Sequence, residues 1–155
     1  MPALLTEGCL KDHPFLNDCT SSFLNHLEEF AREVTFEPGQ VILKEREYGD
    51  KFYLIRSGKV RLELGTGKST ITIQLLKAGD ILGCSWLNPP FEWHFTARAL
   101  DRCELVELNA ASLLIRAEED SEFGYQLMKR LSIHMVQRLE ALSNRLKLEL
   151  QRHQR

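Results

Sequence analysis

"GDKFYLIRSGKVRL", residues Gly49 to Leu62, decides how this chain folds. Two short β-prone runs are separated by Ser57-Gly58, a dipeptide suited to a tight turn, and Gly49-Asp50 breaks the chain ahead of them. The same pattern runs outward in both directions. Upstream, "VILKE" follows Pro38-Gly39; downstream come "TITIQLL", "DILG", "HFTARAL" and "CELVEL", with Gly65-Thr66-Gly67 and Gly79-Asp80 between them. From Thr35 to about Leu108 the apolar period is two. Many short strands at regular spacing predict a mainly β fold, a barrel or jelly roll.

Helical patterns flank that region. Residues 14 to 34 begin with a proline and set Phe23, Leu24, Leu27, Phe30 and Ala31 at helical spacing, with Ser21 or Ser22 as N-cap, so an amphipathic leading helix is predicted. "NAASLLIRAEED" reads as a short helix capped by Asn109, and residues 121 to 150 as a long one. In the long helix Leu131, Met135 and Leu139 recur eleven residues later as Leu142, Leu146 and Leu150, a spacing for a straight or slightly right-handed seam. Such a stripe either folds back on its own barrel or meets the same stripe on a second copy. Its length favours the second, a two-fold homodimer.

Composition limits the alternatives. A chain of 155 residues, 43% hydrophobic, suits one globular domain with an appended helix. The formal net charge of -2 gives no whole-molecule field for nucleic acid. No basic n-region with an apolar h-region opens the sequence, and no run approaches the roughly 18 apolar residues of a membrane span, so a cytoplasmic protein is expected. Cys9, Cys19, Cys84 and Cys103 are widely spaced, with neither a zinc-ribbon nor a disulfide pattern.

Motifs for chemistry are few. "GTGKST", Gly65 to Thr70, ends like a phosphate-binding loop, but Leu62 stands where the first glycine is needed and strand-like "ITIQLL" follows where a helix is needed. A hairpin turn is the reading. His13, His26, His94, His134 and His153 show no metal-ligand spacing, and no nucleophile elbow occurs, so neither a metal site nor an enzyme is expected. Cys84 and His94 could pair across a pocket, although a small buried thiol is the plainer reading of Cys84. From Gln126 to Arg155 seven basic residues stand against two acidic ones. That net +5 could touch nucleic acid, yet its alternation with the apolar stripe favours a solvated face.

In combination, "F-x-P-G-Q-V-I-L" (Phe36 to Leu43), "G-D-K-F-Y-L-I-R-S-G-K-V-R-L" and "L-K-A-G-D-I-L-G" (Leu76 to Gly83), framed by helices, resemble the cyclic-nucleotide-binding domain over about residues 14 to 150. That domain serves catabolite-activator-type bacterial regulators, kinase regulatory subunits and gated channels. The resemblance implies a double-stranded β-helix (jelly roll) with an N-terminal helix and a long C-terminal helix. In the family a Glu after the glycine takes the ribose hydroxyl and an Arg further on pairs with the cyclic phosphate. Here the Glu position is Cys84 and the Arg position falls on Trp93 or His94; Arg98 resembles a later, strand-borne residue. Losing two charge-assisted bonds at roughly 1.5 to 3 kcal/mol each weakens affinity by about 10² to 10⁴.

"SWLNPPFEWHFTARA" also resembles a stand-alone bacterial subgroup with a tryptophan-rich cassette. Trp86, Pro89, Pro90, Phe91, Trp93 and Phe95 could cage a planar ligand or simply fill the vacated pocket. The resemblance implies cAMP or cGMP, or another small planar molecule, as ligand. The implied ligand set is Gly83, Cys84, Ser85, Trp86, Trp93, His94, Phe95 and Arg98, with Leu142 and Ser143 as a lid from the long helix and Arg138 one turn before it. If Trp93 lines a pocket, replacing it by Ala weakens ligand without unfolding the protein.

The chain divides into an extension (1–13), a jelly roll with its leading helix (14–120) and a dimerisation helix (121–155). No helix-turn-helix follows, so operator DNA is not an expected partner. The function read from the sequence is a homodimeric sensor or regulatory module of weak or altered nucleotide specificity, with its signal passing to a protein partner. The competing readings are a ligandless adaptor scaffold and a nucleic-acid accessory protein.

Overall fold

The computed structural model describes residues 10, 12–83, 86 and 91–154. A 3-10 turn (Pro14–Leu16) leads to α1 (Ser21–Glu29), eight strands, then α2 (Ala110–Glu119) and α3 (Ser121–His153). The strands are β1 (Ala31–Phe36), β2 (Val41–Leu43), β3 (Lys51–Ser57), β4 (Val60–Gly65), β5 (Thr70–Leu76), β6 (Ile81–Leu82), β7 (Thr96–Ala99) and β8 (Cys103–Asn109). They form two antiparallel sheets, ordered β1-β8-β3-β6 and β2-β7-β4-β5. This is the expected jelly roll between helices.

Three layers follow from where the side chains go. On β3, Phe52 and Leu54 join Val106 and Leu108 of β8 in a core beneath the helices, while Tyr53 and Ile55 join Cys103 and Leu105 in a core between the sheets. Alternate side chains of one strand therefore supply both cores. That is why "KFYLI" is a nearly continuous apolar run: the sheet is covered on both faces. The second sheet covers only one core, and its outer face carries Arg61 and Arg98.

The leading helix is shorter than the sequence predicts. Thr20 is the N-cap, its Oγ1 accepting from the Phe23 amide at 3.1 Å, and the helix stops at Glu29. From Ala31 the chain pairs with β8 in unbroken register, Ala31↔Leu108 through Phe36↔Cys103. Val34 and Thr35, β-branched, favour that pairing over another helical turn. "GTGKST" is a hairpin turn, closed by the Thr66 amide donating to the Ser69 carbonyl at 2.8 Å.

Asn109 and Asp120 cap the last two helices, their Oδ1 atoms accepting from the Ser112 and Phe123 amides at 3.0 and 3.1 Å. Gly124 lets α3 approach α2 closely, since a Cβ there would lie 2.7 Å from the Ala117 carbonyl oxygen. The start of α3 is thereby fixed, with Phe123, Leu127 and Leu131 buried in the helix-side core. Further along the stripe, Leu139, Leu146 and Leu150 are exposed. Leu131 thus belongs to the chain's own core, and the seam available to a second copy begins at Met135.

Candidate functional site

β6 opens the cassette, and its two residues point opposite ways. Ile81 faces the helix-side core and Leu82 the core between the sheets. Gly83 follows in a left-handed conformation, φ +89°, and a Cβ there would lie 2.9 Å from Cζ3 of Trp93 and 3.0 Å from the Lys51 carbonyl oxygen. Only glycine suits both the backbone angle and the indole pressed against it. Cys84, Ser85, Pro89 and Pro90 lie outside the described residues, and with them the Cys84–His94 pairing.

The two tryptophans occupy different cores. Trp86 enters the helix-side core at 3% exposure, its ring centroid 6.0 Å from that of Phe52, and its Nε1–H donates to the Gly83 carbonyl at 2.8 Å. Trp93 enters the core between the sheets at 5% exposure. The backbone of Trp93 is pinned on both sides, its amide donating to the Glu47 carbonyl at 2.9 Å and its carbonyl accepting from the Arg46 amide at 2.9 Å. Phe95 packs partly buried on the same core, whereas His94 is exposed. Gly83, Trp86 and Trp93 are thus brought together.

Arg98 takes another side. Its neighbours Ala97 and Ala99 face the core between the sheets, so Arg98 points outward from β7. There its Nε donates to Glu63 Oε1 at 2.9 Å and its Nη1 to the Gly39 carbonyl at 3.0 Å, while Arg61 donates to the same carboxylate oxygen at 3.0 Å. Burial works to raise the Glu63 carboxyl; the two guanidiniums outweigh it and hold the group below its ordinary range. Glu63 was not legible as a buried acid, because "VRLEL" reads as plain alternation and conceals the bulge between Leu62 and Glu63.

A second carboxylate network spans β1, β3 and β8. Glu107 accepts from Tyr53 Oη at 3.0 Å and from Arg32 Nε at 2.8 Å. Burial, with the Glu107 carboxylate beside it, pushes the Tyr53 hydroxyl far up, so it remains a donor. Among the described residues Glu63, Glu107 and His13 are buried, and no lysine or arginine is. Any charge pairing with a phosphate must come from the surface or from backbone amides.

α3 meets the start of the cassette at Ile81. Arg138 donates through Nη2 to the Ile81 carbonyl, two residues before Gly83. Around that contact Ile81, His134, Met135, Arg138, Leu139 and Leu142 line a groove of about 230 Å³. Leu142 also borders a second groove of about 550 Å³, shared with Ile71, Thr72 and Ile73 of β5 and Arg145, Leu146 and Glu149 of α3. Leu142 is half-buried there and Ser143 is exposed. Among the described residues no helix is long and apolar enough to cross a membrane, and no cluster has the make-up of a metal site.

The chain is similar to known proteins in sequence and fold. Over 77 residues, 50% of this chain and 20% of the relative, the sequence is 36% identical to the cAMP-dependent protein kinase regulatory subunit of Yarrowia lipolytica. It is 42% identical to the cGMP-dependent protein kinase of Toxoplasma gondii over 48 residues, 31% of this chain and 4% of that one. The chain therefore spans a fifth or less of the length of these relatives. A Geobacter metallireducens GS-15 protein classed as cyclic nucleotide-binding superposes with TM-score 0.77 and 27% identity, over 87% of this chain and 98% of its own. The Thermus thermophilus catabolite activator protein shares the fold, with TM-score 0.69 and 23% identity over 87% of this chain and 62% of its own. The profile of the cyclic nucleotide-binding domain matches residues 33–120, the stretch that builds both sheets, the glycine-turned cassette and α2, and the chain belongs to that family.

Proposed function

We propose that this chain is a regulatory sensing domain of the cyclic-nucleotide type, without catalysis of its own. Ligand occupies the 79–99 cassette, and α3 carries the response. The observation that carries this reading is the bond from Arg138 to the Ile81 carbonyl, because it joins α3 to β6, the strand just ahead of Gly83. A ligand that reshapes Gly83 to Phe95 alters the seat of that bond and of Leu142 beside it. Coupling of this kind needs different ligand affinities in two arrangements of α3. Residues 121–155 also form the homodimer contact in this reading, supported by the exposed stripe from Met135 to Leu150.

Specificity is weak or altered. The family's Arg position holds Trp93 or His94, and Arg98 is committed to Glu63 and Gly39. A ligand that enters the core between the sheets must move the Trp93 indole from Gly83. The test is titration with cAMP and with cGMP, following tryptophan fluorescence and thermal stability together. At about 100 times the dissociation constant a ligand adds roughly 2.7 kcal/mol of stability. The expected outcome is a saturable response in both signals, at ligand concentrations well above those of domains that keep the Glu and Arg pair. No response at millimolar nucleotide overturns the nucleotide reading.

A second reading is a ligandless dimeric adaptor that keeps the fold and works through α3. The near-complete burial of Trp86 and Trp93 favours it, because both indoles already fill core space. Intact dimers that ignore both nucleotides would decide for it.

A further inference from the structure

The segment ahead of α1 is fastened at points the reading above does not use. Phe15 and Leu16 are buried, and the Phe15 ring lies 5.4 Å from both Phe52 of β3 and His134 of α3. Arg130 of α3 donates through Nη1 to the carbonyls of Phe15 and Asn17, at 2.9 and 2.7 Å. Pro14 covers the Gly79–Asp80 turn, its Cγ 3.2 Å from where a Cβ on Gly79 would sit. One short stretch thus touches the barrel, the turn that opens the cassette, and the terminal helix.

His13 ties this stretch down with both ring nitrogens. Nε2 lies 3.0 Å from the Ile55 carbonyl oxygen, which can only accept, and Nδ1 lies 3.1 Å from the Phe15 amide, which can only donate. The ring is therefore the neutral tautomer with its proton on Nε2. The Ile55 carbonyl also accepts from the Gly79 amide at 3.0 Å, and the Ile55 amide donates to the Asp80 carbonyl at 3.0 Å. A second proton would go to Nδ1 and set two donors against each other. The acceptor that holds Phe15 would be lost.

We propose that His13 is a proton-sensitive latch: neutral, it fastens residues 12–18 to the Gly79–Asp80 turn and α3, and proton uptake releases that segment while the barrel stays folded. The charges around it set the balance. Asp80 on the turn favours the charged ring and His134 on α3 opposes it; on the same helix Arg138 acts on His134 and Arg130 holds the Phe15 and Asn17 carbonyls, while Asp12 and Asp18 lie on either side in the chain. Burial dominates and lowers the His13 pKa from 6.5 to about 4, with the Ile55 bond acting upward and His134 downward. The latch does not depend on the cassette's binding any ligand.

The test is an NMR titration of the full chain from pH 7 to 3.5, following the His13 ring, the amides of residues 12–18, and barrel amides in β3, β4 and β8. We expect the ring to titrate near pH 4, with the Phe15 and Leu16 amides shifting in the same transition and the barrel amides staying in place. A ring titrating near 6.5, strap amides that do not follow it, or a barrel that unfolds in the same step would each overturn the proposal. His13→Asn offers Phe15 an acceptor that takes no proton in this range, so it should abolish the strap transition; His134→Gln should keep it. Persistence of the transition in His13→Asn also overturns the latch, and the wild-type titration decides the matter alone if that variant does not fold.

Discussion

The indole of Trp93 and the bare Cα of Gly83 are fitted to each other, and the fit is measurable. Gly83→Ala forces a side chain into φ +89° and into contact with Cζ3 at 2.9 Å, at a cost of about 1–3 kcal/mol or more. Trp93→Ala empties part of the core between the sheets and costs about 3–5 kcal/mol. Burial thus adds a stability loss that a pocket-lining tryptophan would not incur. The double variant should lose less than the sum, because the new methyl no longer meets the ring; the Lys51 carbonyl, 3.0 Å away, keeps the rescue partial. Urea denaturation of the four proteins checks this. Strict additivity would mean that the ring does not rest on Gly83.

At the scale of elements, α3 is one helix with two surroundings. Up to Leu131 its apolar side chains pack in the chain's own core, while Leu139 and Leu146 are 64% and 61% exposed. Leu139→Asp with Leu146→Asp should therefore leave the fold and thermal transition of a monomer nearly unchanged yet shift the sedimentation of the protein from dimer to monomer. A wild-type monomer at micromolar concentration would end the homodimer proposal. The elements themselves were largely legible, because period-two runs, turn glycines and the cap Asn109 are local signals. The leading helix ends earlier than its local pattern predicts, because a local signal meets a distant one: Phe30 and Ala31 fit a helical face, but β8, some 75 residues away, takes Ala31 as a strand partner. Site residues were harder to read. Gly83 and the tryptophans mark themselves by type, whereas the outward turn of Arg98 depends on strand register, and the fastening of His13 depends on the distant Ile55 carbonyl of β3.

For the whole molecule, acid acts on buried His13 and Glu63, and on half-buried His134, whose pKa burial also lowers. His13 takes its proton at 6.5 when unfolded and at about 4 when folded, so the unfolded chain binds more protons between those values. The stability this provides is complete above 6.5 and is lost as pH falls towards 4, by at most about 3 kcal/mol. Glu63, held below its usual 4.5 by Arg61 and Arg98, adds a further loss as pH falls from there through its folded value. Calorimetric melting temperatures should fall from pH 6.5 to 4.5 in the wild type and less steeply in His13→Asn; equal slopes would exclude His13 as the source.

The cassette has an anchor in each core, and that governs the order in which it can open. Trp93 can withdraw from the barrel side while Trp86 still holds the helix side, its Nε1–H on the Gly83 carbonyl. A swing of the whole segment would have to empty both cores at once. Stepwise opening would make the speed of any exchange within the barrel depend on how often one indole leaves its place, whatever the concentration of the molecule waiting outside.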